Sequence, residues 1–184
     1  MRMVYVALLR GINVGGNNMV SMKSLKENFE RLGFRNVKTY INSGNVIFQT
    51  SDADPRNVAA RIDLMLTDEY GLKGRTVVRN TREMKRVVDA LATEPPLSPD
   101  WRCNVMFLRH TIDAKRALKD IALQPEIERV TCCPGTWLWS ARVSDANRSA
   151  MMKLGKTPLY QEMTVRNVNT TKAVLALMQA MEEN

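Results

Sequence analysis

Residues 37–50, Val-Lys-Thr-Tyr-Ile-Asn-Ser-Gly-Asn-Val-Ile-Phe-Gln-Thr, decide the fold. Strand-forming residues run from Val37 to Ile41 and again from Val46 to Thr50. Between them Asn42-Ser43-Gly44-Asn45 has the composition of a turn, so the stretch reads as a β-hairpin. On its N-terminal side Met22, Leu25, Phe29 and Leu32 recur at helical spacing, with Ser21 as N-cap and Gly33 as stop. An apolar strand, Met3 to Leu9, precedes them. On the C-terminal side Asp54-Pro55 opens a second helix that buries Val58, Ile62, Met65 and Leu66 and stops near Gly71. Thr76 to Arg79 then reads as a short strand. The order β-α-β-β-α-β is that of the split βαβ, or ferredoxin-like, unit.

The second half begins the pattern again. Thr81 is expected to cap a helix carrying Met84, Val87, Val88 and Leu91, and a connection with Pro95, Pro96 and Pro99 follows. Asn104 to Arg109 reads as a strand. Asp113 caps a helix through Leu118, Ile121 and Ala122. Ile127 to Cys132, the turn Pro134-Gly135 and Trp137 to Ala141 form a second hairpin, and Ser144 or Asp145 caps a helix around Met151 and Leu154. Residues repeat as well as elements: Ser43-Gly44-Asn45-Val46-Ile47-Phe48 aligns with Pro134-Gly135-Thr136-Trp137-Leu138-Trp139, and Leu9-Arg10 with Leu108-Arg109. Gly155 to Asn169 reads as a long connection, after which Asn169 or Thr170 caps a last helix with Val174, Leu177, Met178 and Met181 on its apolar face. The expectation is an α+β chain of two tandem ferredoxin-like units from an internal duplication, plus a C-terminal helix. Its domains are 1–93 and 104–184, joined by a linker at 94–103.

Composition narrows the class. The chain has 184 residues, 45% hydrophobic and 25% charged, which is the make-up of a soluble globular protein. No apolar run approaches the ~20 residues that span a bilayer, and Arg10 and Gly11 interrupt the N-terminal apolar stretch, so no membrane role and a cytoplasmic location are expected. The cysteines, Cys103, Cys132 and Cys133, suggest no disulfide framework, and with His110 as the one histidine no metal site is expected. The formal net charge of +8 points to acidic partners, although the basic residues are spread along the chain.

The loop between the first strand and first helix, Arg10 to Asn18, carries Gly11, Gly15 and Gly16 among Asn13, Asn17 and Asn18. Glycine lets backbone N–H groups approach a ligand, and a helix start favours negative charge, so this is a candidate cradle for phosphate or carboxylate. Its spacing matches neither G-x-G-x-x-G nor the P-loop. Leu8 to Gly16, Tyr40 to Val46 and Arg166 to Thr170 together resemble three motifs of the bacterial domain-of-unknown-function family 1697, which carries tryptophan where this chain has Val168. The resemblance implies an α+β architecture with ferredoxin-like halves and brings no activity, cofactor or substrate.

The predicted ligand-binding set is Arg10, Gly11, Asn13, Gly15, Gly16, Asn17, Asn45, Arg166, Asn167 and Asn169: guanidinium forks and amides on three polar loops. The competing reading makes the asparagines turn and cap residues and the arginines surface ion-pair partners. Trp137 and Trp139, two apart on one strand, share a face that is either core or a base-stacking platform. His110 with Cys132 or Cys133 is a weak catalytic candidate, and the pairs Glu126/Glu128, Glu182/Glu183 and Asp52/Asp54 read as solvated faces or helix entries. Three functions follow in order: binding of a phosphate-bearing or other anionic small molecule at the glycine loop, single-stranded nucleic-acid binding through basic surface and Trp137/Trp139, and an enzyme acting on a phosphorylated metabolite. The sequence names no cofactor and no oligomeric state.

Overall fold

A computed structural model describes residues 2–13, 18–93 and 98–183. Gly15, Gly16 and Asn17 of the expected cradle, and Pro95 and Pro96 of the expected linker, lie outside the described residues. The chain forms two compact units, Met1–Met84 with Ala173–Asn184, and Lys85–Lys172. These limits fall inside helices, whereas the limits expected from sequence were drawn at the proline-bearing connection.

The first unit contains β1 (Met3–Leu8), α1 (Met22–Arg31), β2 (Arg35–Tyr40), β3 (Asn45–Thr50), α2 (Pro55–Tyr70) and β4 (Val77–Asn80). The strands lie in the order β2-β3-β1-β4, all neighbours antiparallel, which is the ferredoxin-like sheet. Local chemistry sets the helix limits as expected. Ser21 Oγ accepts the Ser24 N–H, Asp54 accepts the Arg56 N–H beside Pro55, and Gly71 closes α2 at φ +65°. One sheet face, with Tyr5, Ala7, Val46, Phe48 and Val78, packs with Leu25 and Phe29 of α1 and Ile62 and Leu66 of α2 in a continuous apolar core. Gln49 Nε2 donates to the Met181 carbonyl at 3.2 Å, so the end of the last helix lies at this sheet too.

The second unit contains β5 (Trp101–Leu108), α4 (Ala114–Lys119), β6 (Glu128–Cys133), β7 (Thr136–Arg142), a 3-10 segment (Val143–Arg148), α5 (Ala150–Leu154), α6 (Pro158–Gln161) and β8 (Met163–Asn167). Its sheet order, β6-β7-β5-β8, repeats that of the first. Two helices are divided between the units: α3 (Thr81–Leu91) and α7 (Val168–Glu182).

Four expectations about elements change. Gly155 to Asn169 is not one long connection, because it holds α6 and the edge strand β8. Asn80, not Thr81, caps α3: its Oδ1 accepts the Glu83 N–H while Glu83 Oε2 accepts the Asn80 N–H, a reciprocal box that needs the amide one residue earlier. Asn167, not Asn169 or Thr170, caps α7, since its Oδ1 accepts the Thr170 N–H at 2.7 Å. Ser149, not Ser144 or Asp145, caps α5, accepting the Met151 N–H at 3.2 Å.

The repeat extends to register. Val6 opposes Ile47 and Arg79 in the first sheet, and Val105 opposes Leu138 and Arg166 in the second. Leu9 N–H donates to the Gly44 carbonyl at 2.8 Å, as Leu108 N–H does to Gly135 at 2.9 Å. At Gly44 the turn requires glycine twice over: φ is +71°, and an added Cβ would sit 2.8 Å from Leu9 Cβ.

Candidate functional site

The described part of the expected cradle folds against the hairpin turn of the same unit. Asn13, at φ +54°, donates from Nδ2 to the carbonyls of Val20 and Asn42, both at 2.9 Å, and its Oδ1 accepts the Val20 N–H at 2.7 Å. Asn18 Nδ2 donates to the Gly11 carbonyl at 2.9 Å. The buried Asn45 donates to the Tyr40 carbonyl and to Ser43 Oγ. The asparagines therefore shape the two loops and hold them together, and the half-buried Arg10 opens the first of them. Beside Asn42, Ile41 adopts φ +48° with half its surface exposed. A β-branched residue there is strained by roughly 1–3 kcal/mol. Met19, three-quarters exposed, lies on the other loop.

The repeat shows what is particular about this corner. In the second unit Arg109, the counterpart of Arg10, donates its N–H to the Glu162 carbonyl at 3.0 Å, and its Nη1 lies 3.2 Å from Glu162 Oε2. Carrying the β1–β4 register two residues past Leu8↔Val77 sets Arg10 against Arg75. Where the second unit has Glu162, the first has Arg75. Asp63 of α2 also stands at this strand entry, its Oδ1 accepting the Thr76 N–H at 2.8 Å.

Arg166, expected on a polar loop, is a strand residue of the second unit, half-buried, donating to Thr164 Oγ1 at 2.7 Å and the Val165 carbonyl at 2.9 Å. Burial lowers its pKa to about 10. Its counterpart Arg79 is buried, donates to the Val78 carbonyl at 2.8 Å, and is likewise lowered to about 10 by burial, with Glu83 opposing the shift. Both stay cationic at neutral pH. Asn167 is occupied as the α7 cap, and Asn169 is exposed in the first turn of that helix. The expected set thus divides, with Arg10, Gly11, Asn13 and Asn45 together in the first unit and Arg166, Asn167 and Asn169 in the second. Arg75 was missed because the repeat, read only as far as β7, gave no partner strand with which to align it. Val165-Arg166-Asn167 repeating Val78-Arg79-Asn80 was the available signal.

Trp137 and Trp139 are fully buried, their rings edge-to-face with centroids 6.2 Å apart. Trp137 Nε1 donates to the Ala114 carbonyl and Trp139 Nε1 to Glu128 Oε2, both at 3.0 Å. They are core, the first of the two readings, and the alternative of a stacking platform is excluded because no solvent reaches either ring. Glu128 is not part of a solvated face either. It accepts from Ser149 Oγ and from the N–H groups of Gln124 and Ala150 as well. Burial pushes its carboxyl up, but these bonds and that from Trp139 outweigh it and hold the pKa below the ordinary value. The Cys132 thiol is pushed up by burial, with Lys115 opposing the shift. Among the described residues no group of three or more His, Cys, Asp or Glu side chains could hold a metal, and no helix is long and apolar enough to cross a membrane.

A family model matches residues 3–136, including both strands of the first hairpin and the Arg10 corner. The chain belongs to the family described as Protein of unknown function (DUF1697). No curated relative matches it. Among solved structures it is similar to the conserved bacterial protein SP0830 from Streptococcus pneumoniae, 22% identical, with a TM-score of 0.81 over 97% of this chain and 99% of that one. That likeness concerns the fold alone.

Proposed function

We propose that the first unit binds a small molecule bearing phosphate or carboxylate, with Arg10 as its principal contact and Arg75 as its second. What supports this reading is that Arg75 falls, by extension of the β1–β4 register, at the position where the second unit has Glu162, the partner of Arg109. An anion accepts the planar, two-pronged bonds that arginine offers. Gly11, Asn13 and Asn45 support the site by fixing the loop and turn, and Gly15, Gly16 and Asn17 continue the same loop. The strained Ile41 and the exposed Met19 supply apolar surface for the rest of the ligand. Asp63 sets a limit on ligand charge, since a second anionic group pointing toward α2 would meet its carboxylate.

Titration of inorganic phosphate, nucleotides and sugar phosphates against thermal stability tests the proposal. A ligand at 100 times its Kd stabilises by about 2.7 kcal/mol. A hit that disappears in Arg10→Ala, with the unliganded variant still folded, is expected. A hit retained unchanged in Arg10→Ala would overturn the assignment.

A further inference from the structure

The third tryptophan, Trp101, was not singled out by sequence, and the second unit displays it. It opens β5, is partly buried, and lies directly opposite Arg142 of β7. The guanidinium carbons of Arg129 and Arg142 stand 5.6 and 5.7 Å from the centre of its ring. Three adjacent strands thus contribute one indole and two cations, with both arginines exposed. Arg102 follows Trp101 and is exposed as well. A cleft of about 530 Å³ runs alongside, lined by Asp100, Trp101, Arg142, Val143 and Ser144. Val143 is half exposed, and its N–H donates to the Asp100 carbonyl at 2.8 Å, tying the strand end to the segment that enters β5.

We infer that this surface is a binding site for single-stranded nucleic acid. An indole offers a face on which any base stacks, and guanidinium groups around it neutralise the flanking phosphates. Arg129 and Arg142 on the ring, against Asp100 in the cleft lining, give the patch the charge that a phosphodiester backbone needs, within a chain of net charge +8. The base settles on the indole as one guanidinium swings from the ring to a phosphate, so stacking and charge pairing share the same side chains. The single aromatic and the size of the cleft fit one stacked base with its neighbouring phosphates, and no base-specific readout. Duplex DNA keeps its bases stacked on one another and does not present a free face to Trp101.

Fluorescence titration reads the site directly, because Trp137 and Trp139 are fully buried and Trp101 is the tryptophan that solvent reaches. The full chain is titrated at low salt with single-stranded oligo(dT) of about 15 nucleotides. Saturable quenching is expected, with an affinity that falls steeply as salt rises. Trp101→Leu should weaken binding about 5- to 100-fold, followed by anisotropy of a labelled oligonucleotide because the reporter is gone. Arg129→Ala and Arg142→Ala should each lower the salt slope by about one. A flat titration overturns the inference, as does binding that Trp101→Leu leaves unchanged. Equal competition by an acidic peptide of matched charge would show recognition of charge without the base, and that too would overturn it.

Discussion

At equivalent places in their hairpins the two units solve the same packing problem differently. In the first unit Phe34, one residue ahead of β2, stacks on Phe48 of β3 with centroids 4.4 Å apart. In the second, the residue facing the same place is Glu128, and Phe48 is replaced by Trp139, whose Nε1 donates to that carboxylate. A phenyl pair needs nothing beyond contact, whereas an indole sealed in a core needs an acceptor, and Glu128 serves it along with Ser149, Gln124 and Ala150. At the strand ends the contrast runs the other way. The second unit closes Arg109 on Glu162, while the first carries Arg10 and Arg75. Shared topology fixes where a side chain sits. Its exchange in one copy shows whether that place serves packing or something brought from outside.

The largest effect that would test the contrast is in the second core. Glu128→Ala strands the donors of Trp139, Gln124 and Ala150 and should cost about 3 kcal/mol or more in chemical denaturation. The same carboxylate predicts a pH dependence. Its folded pKa lies below the unfolded value, so its contribution is complete above the unfolded carboxylate range near ~4.3 and is lost as pH falls through the folded value. Acid melts of the wild type should therefore lose more stability than those of Glu128→Gln. A smaller loss, about 2 kcal/mol, is expected for Gly44→Ala, which meets both an unfavourable φ and Leu9. Ile41→Gly should raise stability by up to about 1 kcal/mol through relief of the left-handed backbone, and a loss instead would mean that Ile41 packs more than its exposure shows.

The first unit was nearly all legible in the sequence because each boundary carries its own chemistry: Ser21, Gly33, Asp54-Pro55 and Gly71 act locally. The second was legible through the helix around Met151 and Leu154 and again in the last helix, but its edge strand was missed, since Met163 to Asn167 forms a strand through pairing with β5, and Arg166 disguises an alternating stretch as a polar loop. The helix caps moved by one to a few residues because serine, threonine, asparagine and aspartate cluster there and only geometry chooses among them. For the site, Arg10, Asn13 and Asn45 could be singled out by type. Their division of labour could not, because an amide that binds a ligand and one that ties a loop have the same spacing. Trp101 gave no signal in sequence, lying alone at the start of a strand, apart from the Trp137/Trp139 pair that drew notice.

The central claim is that Arg10 and Arg75 hold an anion where the second unit holds an internal ion pair. Arg75→Glu converts the first unit to the second unit's arrangement, and anion binding measured by calorimetry on this variant is the most direct test. The account predicts that binding is abolished while the unliganded protein stays folded. Binding at wild-type affinity in a folded Arg75→Glu variant would contradict it.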